Sequence, residues 1–317
     1  MLESGKDQAF VKDPNTGQIT TAPAIEVLNR RGEVSGTLGC APWTKKYAKW
    51  FPDKFFTQGL KAVEDLAGIA VARVSDRLDH GKGADREDLL KRLIDGRDEN
   101  GAPLCRKEIQ AEALTILIAG SDTTSNTLCS LMYWVLRSPG VLEKLQQELD
   151  SALPGDWSIP SYASAKDLKY LRAVINETLR IHSTSSLGLP RVVPPEGTTI
   201  CGEFFVGDTI LSVPAYTIHH SDDIWGDAGV FRPERWFELT ELQKKSFIPF
   251  SAGPRACVGQ NVAELELMTI VATLFSGWDW KFAEGEKQGF PGAPLDTAEG
   301  FLRKPLGLNV GVKRRKA

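Results

Sequence analysis

Phe250-Ser251-Ala252-Gly253-Pro254-Arg255-Ala256-Cys257-Val258-Gly259 runs straight into an apolar segment, 260–275, that reads as a helix. A cysteine at that point aims its sulfur at the positive end of the helix dipole and at backbone N–H groups without intrahelical acceptors. Arg255 stands two residues away. All three influences favour thiolate over thiol. Gly253 and Gly259 permit tight turns and the close approach of a flat ligand. The other reading is a buried free cysteine in a glycine-rich loop, and Cys40, Cys105, Cys129 and Cys201 invite that reading more than Cys257 does. The five cysteines are odd in number and form no CxxC pair, which excludes a disulfide framework and a zinc ribbon. With only four histidines (His80, His182, His219, His220), a metal would fall to a cysteine.

Working outward, the chain of 317 residues is 42% hydrophobic and 25% charged, which excludes disorder and fibrous repeats. Lys plus Arg is 38 against 41 Asp plus Glu, so the net charge of -3 gives no reason to expect a nucleic-acid partner. Residues 1–7 carry charge where a secretory signal needs an apolar core. No uninterrupted apolar run of about 18 residues occurs, so no transmembrane segment is encoded. Residues 1–40 are poorly periodic. The aromatic, basic stretch 43–56 reads as a cluster closing a core or, alternatively, as a membrane-surface contact.

Apolar spacing predicts a helix over 57–78, a flexible break at 80–83 and a short helix through Leu89, Leu90, Leu93 and Ile94. Residues 106–137 contain no proline and predict one helix of about 48 Å, ended by Pro139-Gly140. Helices follow over 141–153 and 170–182. Residues 198–213 alternate β-rich runs with glycines and predict a small hairpin sheet. Residues 231–254 read mostly as loop, and the tail as strand and turn ending in the solvated basic run 313–316. His182, His219 and His220 read as packed or capping side chains. The fold class is mainly α with a small β-sheet portion.

The decapeptide fits F-x-x-G-x-R-x-C-x-G at every fixed position, and three further motifs stand ahead of it in order. Ala119-Gly120-Ser121-Asp122-Thr123-Thr124 lies midway along the long helix, Glu177-Thr178-Leu179-Arg180 on a later helix, and Phe231-Arg232-Pro233-Glu234-Arg235-Trp236 in the loop region. The set resembles the cytochrome P-450 family. The resemblance implies that family's fold and haem b, with Cys257 as the thiolate ligand to iron and Phe250, Gly253, Arg255 and Gly259 around the haem. Glu177 and Arg180, three apart, share a helix face and pair either as an exposed surface couple or as a buried clamp. The family's Glu-Arg-Arg triad implies the clamp, with Arg235 as the second cation. Arg255 and Arg191 are candidates for the haem propionates, because guanidinium pairs carboxylates bidentately.

Cleaving bound dioxygen needs two protons, and an acid feeding an alcohol and ordered water is a plausible relay. The family's oxygen-activating motif implies that role for Asp122 and Thr123, with Ala119 and Gly120 leaving room for a diatomic ligand. The resemblance implies substrate-pocket residues at Ser185, Ser186, Leu187 and Phe301. The run 181–191, together with 28–35, is similar to the fungal benzoate para-hydroxylase branch, which implies a small aromatic acid with its carboxylate held by Ser185 and Ser186. Three function classes follow: a monooxygenase using O2 and electrons from NADPH through cytochrome P-450 reductase, a haem-thiolate isomerase or dehydratase, and a catalytically incompetent remnant. Asp122 and Thr123 disfavour the isomerase. The chain is expected to form one domain, 1–317, that is N-terminally truncated relative to the family. The full-length family is expected at the cytosolic face of the endoplasmic reticulum membrane, and this chain, as given, in the cytoplasm. Truncation predicts partly exposed apolar faces at Leu114, Leu117 and Ile118 and at Leu265, Met268 and Val271, and poor haem retention by the chain expressed alone.

Overall fold

The computed structural model describes residues 9–12, 19–22, 24–40, 42–47, 50, 54–154, 158–289 and 294–315. The charged stretch 1–7, the Cys40 side chain and Lys316 lie outside the described residues. The chain divides into two compact units, Met1–Asp122 and Thr123–Ala317.

In the first unit, β1 (Ala9–Lys12) pairs antiparallel with β2 (Ile19–Ala22). Helices α1 (Ala24–Cys40), α2 (Lys54–His80) and α3 (Leu89–Ile94) follow, and α4 (Arg106–Arg137) begins in this unit. The ordered α1 departs from the expectation of an aperiodic start. Its glycines weaken the apolar period, yet packing against α2 overrides propensity. That packing is close: a Cβ on Gly59 would lie 2.0 Å from Val34 Cγ2, so α2 needs a glycine where α1 crosses it. Val27, Ala62, Leu66 and Ile69 form a small core on which Leu114, Leu117 and Ile118 pack. These three side chains stay half-buried, so this α4 face is partly exposed, as expected, although α1 and α2, whose pairing is not legible in the sequence, pack against it. Arg106 forks onto Asp79 at 2.7 and 2.6 Å, tying the start of α4 to the end of α2. Trp43 and Trp50 are 70% and 77% exposed, so the aromatic stretch does not close a core there.

The second unit holds the rest of α4, then α5 (Val141–Ala152), α6 (Tyr162–Ala165) and α7 (Lys169–Ile181). Short strands β3 (Arg191–Val192), β4 (Thr198–Ile200), β5 (Glu203–Phe205) and β6 (Ile210–Leu211) follow. Strands β4 and β5 make the expected hairpin, but β6 returns to pair with β3. Residues 215–246 carry α8 (Ala215–His219), α9 (Asp222–Trp225), a 3-10 turn (Pro233–Phe237) and α10 (Glu241–Ser246); the last two fall within 231–254, where mostly loop was expected. These are short, and α10 is held by a Thr240/Gln243 capping box. Helix α11 (Gln260–Gly277) leads into β7 (Trp278–Phe282), β8 (Thr297–Ala298), β9 (Lys304–Pro305) and β10 (Val310–Arg314); β7 pairs with β10 and β8 with β9.

The core of this unit joins α4, α5, α7 and α11 through Leu131, Leu145, Leu171, Val174, Met268, Val271 and Phe275. Met268 and Val271 are buried, against expectation, and only Leu265 of that trio is exposed. Polar groups cap the packed helices. The Glu148 carboxylate accepts the N–H groups of Tyr170 and Leu171 at 2.9 and 2.8 Å, satisfying donors in the first turn of α7. Among the described residues no helix is long and apolar enough to cross a membrane.

Candidate active site

Glu177 and Arg180 on α7 are both fully buried and meet through two bonds, at 2.9 and 2.8 Å. The surface-pair reading is therefore excluded. Arg235 joins Glu177 Oε1 at 2.9 Å, as expected for the triad. Two donors were not anticipated: the backbone N–H of Arg232 at 3.0 Å and the Trp236 indole N–H at 2.9 Å. One carboxylate thus accepts five N–H groups, which offsets its desolvation. Most of the remaining guanidinium protons go to carbonyls, and Arg235 also reaches the Asp227 carboxylate at 3.2 Å. Arg180 donates to His219 and Ala228 at 2.7 and 2.8 Å, and Arg235 to Trp225 and Val230 at 2.8 and 3.0 Å. Arg180 also stacks 5.4 Å from the Trp225 ring. The cluster pins residues 219–236 onto α7.

His219, expected to be an ordinary packed side chain, is a fully buried junction. Its Nε2 accepts the Ile248 N–H at 3.0 Å, and its Nδ1 lies 2.6 Å from Ser183 Oγ. Ser183 spends its one proton on the Leu179 carbonyl at 2.8 Å, so it accepts from Nδ1. The network assigns a neutral ring with its proton on Nδ1. Burial and the Arg180 charge push its pKa down to about 4, outweighing backbone carbonyls of Arg180 and Ser246 that favour the charged ring. His182, the C-terminal cap of α7, is likewise pushed down to about 4 by burial and by Arg303.

The cysteine loop begins at Ile248. The Ile248 carbonyl accepts Ser251 N–H at 3.0 Å, and the Phe250 carbonyl accepts Cys257 N–H at 2.9 Å. Phe250 packs against the core. Gly253 adopts φ +74, a left-handed conformation that favours glycine. Residues 251–258 are exposed, Cys257 included. Cys105 and Cys201 are exposed too and Cys129 is half-buried, which corrects the expectation that these are buried thiols. What sets Cys257 apart is its place before α11, not its exposure.

The donor set can be tested against the haem that the family implies. Among the described residues no three His, Cys, Asp or Glu side chains cluster as a metal cage. A single cysteine suffices for an iron whose remaining protein-independent ligands come from a macrocycle. A Cβ on Gly259 would sit 3.9 Å from Cys257 Sγ, so the glycine keeps that flank of the sulfur open. Arg255 and Arg191 are exposed, and neither pairs with a carboxylate among the described residues; Arg191 bonds only the Pro190 carbonyl, at 2.9 Å. One thiolate, an open loop and two unneutralised guanidinium groups fit a dianionic haem.

On α4, the boundary between the units falls between Asp122 and Thr123. In the first unit Ala119 and Gly120 are exposed, Asp122 is half-buried, and Ser121 Oγ bonds the Leu117 carbonyl at 2.6 Å. In the second, Thr123 is half-buried and its carbonyl accepts Thr127 Oγ1 at 2.9 Å. Such back-bonds loosen a helix locally. Thr124 Oγ1 reaches Glu266 on α11 at 3.1 Å, and Thr127 lies 3.3 Å from Thr184, so α4 is tied both to the cysteine helix and to the run after α7. Neither Glu266 nor Trp236 was singled out from sequence. Trp236 lies within the quoted 231–236 motif, whereas Glu266 is one of two glutamates on α11.

In the run after α7, Leu187 and Phe301 are 59% and 64% exposed. Ser185 is half-buried. Ser186 is buried, and its hydroxyl already donates to the Ser183 carbonyl. The run is strapped on two sides, by Arg303 N–H to the Thr184 carbonyl at 2.8 Å and Tyr216 N–H to the Ser186 carbonyl at 3.1 Å.

A sequence profile of the cytochrome P-450 family matches residues 23–311, and the chain belongs to that family. Over 323 aligned residues it is 55% identical to proteins of Aspergillus niger named benzoate 4-monooxygenase bphA, a match covering 100% of this chain and 61% of theirs. It is 35% identical over 272 residues to cytochrome P-450 monooxygenase eupD of Phoma sp, covering 85% of this chain and 89% of that one. With hkm5 of Aspergillus hancockii, also named a cytochrome P-450 monooxygenase, it shares 37% identity over 250 residues. The chain thus spans 61% of the length of the Aspergillus niger relatives.

Proposed function

We propose that residues 1–317 act as one haem-thiolate domain of a monooxygenase that hydroxylates a small aromatic acid of the benzoate class para to its carboxylate. The balance is R–H + O2 + NADPH + H+ giving R–OH + H2O + NADP+, with electrons passed from NADPH by cytochrome P-450 reductase. The cytosolic face of the endoplasmic reticulum membrane is the setting that this partner implies. The observation that carries the reading is Cys257, an exposed thiol just before α11 on a loop anchored through hydrogen bonds at Ile248 and Phe250. The name of the 55% identical Aspergillus niger relatives supports the substrate class.

Haem, when bound, supplies the iron at which dioxygen is activated. Cys257 would supply its sulfur as the protein ligand to that iron. Arg255 and Arg191 offer forks to the two propionates. Gly253 and Gly259 keep the loop turned and open, while Phe250 roots it in the core. Glu177, Arg180 and Arg235 do no chemistry; they fix the chain that leads to the loop. Asp122 and Thr123 take the proton-relay role, the carboxyl passing protons to the hydroxyl and being refilled from solvent. Ala119 and Gly120 contribute no bulk beside them. Leu187 and Phe301 offer apolar surface to the ring. Of the two serines, Ser185 retains the hydroxyl for the substrate carboxylate, because that of Ser186 is already committed.

The test is a reduced, CO-bound spectrum of the haem-loaded chain, followed by titration with benzoate and a turnover assay for 4-hydroxybenzoate with NADPH and reductase. A thiolate-type Soret band, a benzoate-induced shift and the para product are expected. Absence of the thiolate band refutes the haem-thiolate reading. A thiolate band with no response to benzoate refutes the substrate.

A further inference from the structure

Two stretches of chain far apart in sequence meet on one imidazole. Ser183 follows α7, Ile248 opens the cysteine loop, and His219 bonds both. From Ile248 the bonding continues inward: its carbonyl holds Ser251, and two residues on the Phe250 carbonyl holds the amide of Cys257 itself. Ser251 takes a left-handed φ of +62, so this turn needs anchoring at its base. The His219 carbonyl in turn accepts Arg180, which joins the junction to the Glu177 clamp.

We propose that His219 is a positioning residue for Cys257: its Nε2 lone pair holds the Ile248 amide, and Ser183 keeps that lone pair available by accepting the proton of Nδ1. The proton inventory leaves one arrangement. An amide only donates, so Nε2 must accept, and the Ser183 proton is already used on Leu179. A ring protonated on Nε2 would set N–H against N–H at Ile248 and release the base of the loop. The elements around the ring disfavour that form. Arg180 faces it from α7 with a fixed positive charge, and His220, the C-terminal cap of α8, is the other titratable group. Trp225 from α9 and Phe247 before the loop present only aromatic surface, at 6.4 and 5.7 Å between ring centroids. Phe250, Arg255 and Cys257 carry the family's loop motif; His219 supports that loop from 38 residues upstream of the sulfur.

The experiment separates an acceptor from a space-filling ring. His219→Phe keeps an aromatic of similar size but no lone pair, whereas His219→Gln offers an amide oxygen that does not titrate. Ser183→Ala leaves the ring in place and removes the group that fixes its tautomer. Hydrogen exchange of the Ile248 and Cys257 amides is followed on the haem-loaded protein, alongside the share of thiolate-type signal in the reduced CO spectrum. Exchange is expected to speed up about tenfold in His219→Phe and to return to within about threefold of wild type in His219→Gln. The thiolate share should follow the same order. Ser183→Ala should also accelerate exchange at Ile248, a residue it does not touch, and it decides the matter if His219→Phe fails to fold. Wild-type exchange at Ile248 in either His219→Phe or Ser183→Ala overturns the proposal.

Discussion

Glu177→Gln keeps the volume of the buried carboxylate and removes its charge, so no cavity contributes to the result. The wild-type oxygens accept Arg180 Nε and Nη2, Arg235 Nε, the Arg232 amide and the Trp236 indole, all between 2.8 and 3.0 Å. In the variant one of the two positions becomes an NH2 group that faces donors. Arg180 is then fully buried with no counter-charge, and Arg235 retains only Asp227 at 3.2 Å, which is 38% exposed. Removing one partner of a buried ion pair costs about 3–5 kcal/mol, and two cations share this one, which places the expected loss toward the upper end. Against a domain stability of about 5–15 kcal/mol, the variant should be largely unfolded or close to it. Urea unfolding followed by tryptophan fluorescence is the assay, since Trp225 and Trp236 both lie in the cluster. A loss below about 1 kcal/mol, the size of an exposed pair, would refute the argument that burial makes this carboxylate structurally decisive.

Other expectations are smaller in scope. Cys257→Ser, at an exposed loop position, should leave urea stability within about 0.5 kcal/mol of wild type while abolishing the thiolate-type CO band; a retained band would show that another residue ligates. His182 and His219 both titrate near 4 when folded, below the ordinary 6.5, so the unfolded chain binds more protons between those values. Their contribution is complete above about pH 6.5 and lost as pH falls toward 4, up to roughly 3 kcal/mol each. Urea midpoints measured from pH 7 down to 4.5 should therefore fall, and a flat or rising series would contradict the assignment. Gly59→Ala drives a methyl into Val34 and should cost about 1–3 kcal/mol, recovered in part by Val34→Ala in a double-mutant cycle.

The helices with strong apolar period were legible from residue types: α2, α4, α5, α7 and α11 all fall within a few residues of where spacing puts them. The pairing of Glu177 with Arg180 was legible from their shared helix face, whereas its burial and Arg235 as the third member were implied only by the family resemblance. Helix α1 was not legible, since its glycines and polar residues mask an apolar stripe that only α2 completes. The burial of Met268 and Val271 was missed for the same reason: the partner surface is set by which helices pair, and one sequence does not state pairings. His219 and His220 are identical neighbours in sequence. One is fully buried between Ser183 and Ile248, and the other stacks on Tyr216 at 3.9 Å.

The sequence by itself determined the chemistry that the chain can carry. A cysteine placed before an apolar helix, with its glycines and arginine at fixed spacing, is a local property, because dipole, turn and charge act over a few residues. Tertiary structure alone decided what holds that cysteine still. The five donors on Glu177, the commitment of the Ser186 hydroxyl and the tautomer of His219 all depend on groups brought together from far along the chain. Burial then makes each unpaired proton costly enough to leave one arrangement.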